Sequence, residues 1–103
     1  MDEQEPIPVI ETEVGKITHY WSHLGVAGVH LTDALDAGDR IHVLGHTSDF
    51  EQDVGSMEIE HDKVQHAEVG QDVGIRVAEH VREHDIVYRV EPTSAAGLGQ
   101  NEL

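Results

Sequence analysis

The 103-residue chain has no cysteine, one tryptophan, one phenylalanine, two tyrosines, and lysine only at Lys16 and Lys63. Without cysteine there is no disulfide, no thiolate zinc site and no cysteine nucleophile, a composition that suits a reducing compartment. With so few aromatics the core has to come from Val, Ile, Leu and Ala, and the β-branched members of that set favour strands. No apolar run approaches the roughly 20 residues of a membrane span. Met1 to Ile10 is acidic and lacks the basic-plus-apolar pattern of a secretion signal. These absences predict a soluble, cytoplasmic protein with one core at most.

Charge is the strongest signal present: 21 Asp and Glu stand against 6 Lys and Arg. Residues 14–90 alone hold 14 acids and all six bases, so the acidity is not confined to the ends. Either an acidic surface meets a partner, or the protein is halophilic and its carboxylates keep it hydrated in molar salt. The scatter of acids along every segment favours salt adaptation. In that setting net charge says little against RNA, because at about 1 M salt the Debye length is only about 3 Å.

Residues 1–12 carry acids and two prolines without periodicity, and 92–103 read PTSAAGLGQNEL. Both are expected to be disordered tails flanking a domain over 13–91. Within it, short strand patterns alternate with turns. Val14 to Trp21 and Val26 to Leu31 flank Ser22-His23-Leu24-Gly25, a hairpin connection. Ala27, Val29 and Leu31 alternate with Val26, Gly28 and His30, the period of a half-buried strand. Arg40 to Gly45, a bent strand over Phe50 to His61, Val73 to Val77 and Ile86 to Val90 complete six strands. Glycines at 45, 55 and 74 fall inside strand patterns, where glycine marks bulges or corners. Only Val77 to Glu83 has room for a turn or two of helix, and its valines argue against even that. The fold class expected is all-β, a single six-stranded antiparallel β-barrel.

Four segments, in order, carry a family likeness. Leu35-Asp36-Ala37-Gly38-Asp39-Arg40-Ile41 resembles the L-x-x-G-D-x-I step in the second domain of the translational GTPases, elongation factor Tu and initiation factor 2. Val54 to Ile59 resembles their V-x-S-M strand, Ala67 to Ile75 their A-x-x-G-x-x-V-G step, and Val81 to Val87 their entry into the last strand. His84 departs from the pattern, which has glycine before the acidic turn residue. Gly15 to Ser22, Gly45 to Phe50 and Met57 to His61 are more similar still to small translation elongation factor-like proteins and to the barrel appended to U32 peptidase-type proteins. The resemblance implies the domain II barrel and contact with the ribosome, rRNA or tRNA, or with a protein of the translation or RNA-modification machinery.

Catalytic motifs are missing. No G-x-x-x-x-G-K-[ST] run is present, since Gly15-Lys16 lacks the upstream glycine and the following Ser or Thr, so neither nucleotide nor GTP hydrolysis is expected. His80-Val81-Arg82-Glu83-His84 matches the H-x-x-E-H zinc pattern, but that pattern works on a helix. On a strand the same spacing holds two imidazoles roughly 13 Å apart. No metal and no cofactor are therefore expected. Glu58 and Glu60 share a strand face and are read as solvated. Tyr20 and Trp21, adjacent on a strand, point to opposite faces, so one enters the core while the other is exposed; Trp21 either plugs the barrel end or, beside Lys16 and His19, stacks on a base or a tRNA end. Arg40, Arg76, Arg82 and Arg89 hold phosphate only if they converge.

The expected function is a non-enzymatic binding module of translation or RNA metabolism, with Lys16, His19, Tyr20, Trp21, His46 and Arg76 as binding residues. The alternative is a protein–protein adaptor beside a U32-type or other catalytic chain. An aromatic patch without nearby Arg favours the adaptor.

Overall fold

A computed structural model describes residues 9–92. Ten strands and no helix occur among them. The first, β1 (Val9–Trp21), is 13 residues long and organises the rest. Its first half pairs antiparallel with β10 (Ile86–Pro92) and its second half with β2 (Val26–Leu31). Val14 and Ile17 both face the core although their odd spacing breaks strand parity. The register shift between Glu13 and Gly15 absorbs one residue at Val14 and accounts for this; a second, between Ile17 and His19, re-aims the rest of the strand.

β4 (Arg40–Leu44) and β5 (Asp49–Asp53) extend the sheet beyond β10. β9 (Asp72–Arg76), β6 (Met57–Ile59) and β7 (Asp62–Val64) extend it beyond β2. The order is β5-β4-β10-β1-β2-β9-β6-β7, and β3 (Leu35–Asp36) pairs with β8 (His66–Ala67) as a separate ribbon. The sheet curls round one core. Val43 and Phe50 from one end join Met57 and Ile75 from the other in a single buried cluster with Ile17, Val29, Leu31 and Val87. Each such side chain contributes about 1.5–3 kcal/mol through burial.

All-β, antiparallel architecture agrees with the expectation, but the closed six-stranded barrel does not: the main sheet has eight strands and an open ladder. The reason lies at the expected bent strand Phe50 to His61. It breaks at Val54-Gly55-Ser56, because β5 pairs with β4 whereas β6 pairs with β9 at the opposite end. Val54 turns its backbone to Gly38 and Asp39 instead of to a strand, with hydrogen bonds of 2.8 Å each. Gln52 then spans the gap: its Nε2 donates to the Arg76 carbonyl at 2.9 Å, and its Oε1 accepts from the Ala78 N–H at 2.7 Å. A side-chain amide and the covalent chain, not a ladder, link the two ends.

Residues 9–12 belong to β1, where Val9 to Thr12 pair with Pro92 to Arg89, so the strand starts before the expected boundary at 13. The rest of both expected tails, 1–8 and 93–103, lies outside the described residues. No helix long and apolar enough to cross a membrane occurs among the described residues.

Candidate functional site

The outer face of β1, β2, β9 and β6 carries a trough of about 540 Å³. Its floor follows from register: His19 is opposite Gly28, Gly28 opposite Gly74, and Gly74 opposite Glu58. Two paired glycines leave the row without side chains at its centre. Trp21 and Thr18 lean over Gly28, and Leu24 and Val26 continue this apolar wall. Glu58, Glu60 and Asp72 provide the acidic side. Trp21 is 41% exposed and its ring lies 4.4 Å from that of His19. Tyr20, by contrast, packs against the core and meets His80 edge-on at 4.7 Å. The opposite-face expectation for these two aromatics is thus met, with Trp21 the free one.

Of the sequence-derived binding residues, His19, Trp21 and Arg76 come near one another on the outer face, whereas Lys16 and His46 stand apart. Trp21 lines the trough, while His19 and Tyr20 line a second, shallower depression with His80 and Arg82. Lys16 lies farther down β1, opposite Ile86 and His30. His46 is exposed in the β4–β5 turn. Arg76 ends β9 and donates to the Leu24 carbonyl at 3.1 Å.

The other arginines do not converge either. Arg40 pairs with Glu51 and Asp53, Arg89 with Asp33 and Glu91, and Arg82 donates to the Thr47 hydroxyl. A phosphate-binding cluster is therefore missing among the described residues.

Glu58 and Glu60 are not paired on one strand face as expected: β6 ends at Ile59 and Glu60 sits in the turn with φ 51°. Both reach the trough all the same. Gly74, expected to mark a bulge or corner, is a regular ladder position whose importance is the space it leaves. The cross-strand partners of Gly28 and Gly74 were the missing information, and only pairing supplies them.

The H-x-x-E-H segment lies in the irregular link before β10, without the helix that would align His80 and His84. A different group has ligand character. One ligand atom each of Glu11, His42 and Glu51 lies within 4.8 Å of the others. His42 is only 15% exposed, with Nδ1 at 3.0 Å from Glu11 and Nε2 at 2.7 Å from Asp49. Burial opposes its charge, but the hydrogen bonds to Glu11 and Asp49 outweigh burial and raise its pKa above the usual histidine value. With both ring nitrogens engaged, the group reads as a clamp between β1, β4 and β5.

No family model matches the chain. It is 35% identical over 82 residues to an uncharacterized protease of Methanocaldococcus jannaschii, a match covering 79% of this chain and 20% of the protease. The chain thus spans about a fifth of the curated relative it matches. Two crystal structures of the C-terminal domain of a U32 peptidase-type protein of Geobacillus thermoleovorans share the fold. The selenomethionine variant has a TM-score of 0.72 at 19% identity, covering 75% of this chain and 98% of that domain. The other has a TM-score of 0.71 at 21% identity, covering 79% and 92%. These likenesses speak for the U32-associated half of the expected resemblance and are silent on the translational GTPases: the fold is that of a U32 peptidase-type C-terminal domain.

Proposed function

We propose that this chain is a non-enzymatic protein–protein adaptor that docks beside a U32-type catalytic chain. One observation carries the reading: the match takes in nearly all of a solved C-terminal domain but only a fifth of a protease-type relative. That is the relation of an accessory domain to a larger machine. The site is consistent with it, since an exposed aromatic beside carboxylates suits a protein surface; Arg76 flanks it through the Leu24 carbonyl, while Arg40, Arg82 and Arg89 are engaged elsewhere.

The test is a crosslinking pull-down from native cells at native salt, with proteins identified by mass and RNA sequenced. Recovery of a U32-type chain without RNA is expected. Recovery of rRNA or tRNA that falls in Trp21→Ala would overturn the adaptor reading in favour of RNA contact.

A further inference from the structure

We propose that the Gly28–Gly74 trough receives an extended segment of the protein partner through an arginine or lysine side chain, held between the Trp21 ring and the carboxylates opposite. The proposal rests on the adaptor reading above. Space is the first argument. Trp21 and Thr18 cover Gly28, but Gly74 beside it leaves the floor open, and about 540 Å³ suits one or two side chains.

Charge is the second argument. Among the described residues, Glu58 and Glu60 have no ion-pair partner, and Lys63, opposite Glu58 on β7, makes none with it. Among the described residues, Asp72 is engaged only by Nδ1 of His30, at 2.9 Å. His61 also lines the trough and Arg76 flanks it beside Glu58, so its three carboxylates are only partly offset, and a cation finds them on one side and an indole on the other. Trp is the best of the aromatic partners for a cation. Leu24 and Val26 beside it give the methylenes of a long basic side chain an apolar path.

The full chain is titrated with an acetylated Gly-Arg-Gly-Arg-Gly amide and its glutamate counterpart, following emission of the single tryptophan. Potassium chloride at about 1 M, where the Debye length is about 3 Å, removes general attraction to the polyanion. Saturable change with the arginine peptide alone is expected. Gly74→Val leaves every charge in place and puts side-chain volume into the floor, where a Cβ meets nothing nearer than 3.6 Å. It is expected to weaken binding at least about tenfold, which corresponds to about 1.4 kcal/mol. Glu58→Gln, an exposed substitution, is expected to weaken it less and covers the case in which Gly74→Val folds poorly. Equal binding by all three proteins, or no saturable change, overturns the proposal. Recovery of the U32-type chain by the wild type is read separately. If it persists after the peptide test fails, the docking face lies elsewhere; if it is absent, the adaptor reading itself falls.

Discussion

Gly28 on β2 and Gly74 on β9 face each other across the outer surface, yet their neighbours tolerate a side chain very differently. A Cβ at Gly28 would lie 3.2 Å from the Thr18 hydroxyl and 3.3 Å from the Trp21 ring, whereas at Gly74 the nearest atom is 3.6 Å away. Gly28→Ala is therefore expected to push the indole outward, red-shift its emission and cost about 1 kcal/mol. Gly74→Ala is expected to leave emission unchanged and stabilise the strand by about 0.5 kcal/mol. Denaturant midpoints with emission spectra test both.

Asp85 is buried at 4% exposure and organises the entry to β10. Its Oδ2 accepts from the Ser48 hydroxyl at 2.5 Å and from the Arg82 N–H at 3.0 Å. Asp85→Ala strands both donors and should cost about 2 kcal/mol. A Cβ at Gly45 would fall 1.8 Å from the Asp85 carboxylate. Gly45→Ala should therefore cost about 3 kcal/mol. Because the clash is with the Asp85 side chain itself, the double variant should lose less than the two singles together. Urea unfolding of the four proteins gives the cycle.

Among the described residues, three non-glycine residues adopt left-handed backbone: Glu60, His61 and His84, at φ 51°, 72° and 78°. The first two form the two-residue turn of the β6–β7 hairpin, a position that favours Asn-Gly. His84 stands in the turn before β10, and its N–H donates to the Ile17 carbonyl at 2.9 Å. His84→Gly relieves strain but adds unfolded-state entropy, so a net gain of about 0.5–1 kcal/mol is expected. Thermal unfolding checks the sign.

Two histidines tie stability to pH. His42 and His66 have raised pKa values: for His42 the carboxylates of Glu11 and Asp49 prevail over burial, and for His66 the hydrogen bonds to Asp36 and Glu68 favour the charged ring. A raised folded-state pKa means that the contribution is full below the unfolded value of about 6.5 and is lost as pH rises through the folded value. Stability from these two groups should fall on going from mildly acidic to mildly alkaline buffer. His42→Gln and His66→Gln should each flatten that slope in urea titrations at a series of pH values.

The all-β class, the β2 alternation, the Ser22 to Gly25 hairpin link and the separation of Tyr20 from Trp21 were legible in the sequence, because each rests on period-two patterning or local turn chemistry. The break at Val54 to Ser56 was not, because nothing local says that β5 and β6 have partners at opposite ends of the sheet. The same holds for the site. Trp21 stood out by residue type, but Lys16 and His46 were chosen by chemistry without position and lie outside the trough, and Arg76 flanks it opposite Val26.

What the sequence by itself determined is which side chains go inward: Ala27, Val29 and Leu31 on β2, and Val73 and Ile75 on β9, are buried as their alternation requires. Only the tertiary structure decided which strands lie side by side, and with that the pairing of Gly28 with Gly74 and the gathering of Glu58, Glu60 and Asp72 opposite Trp21. The physical reason is that inward orientation follows from a local two-residue repeat, whereas pairing depends on how one curled sheet closes a common core, a property of the whole chain.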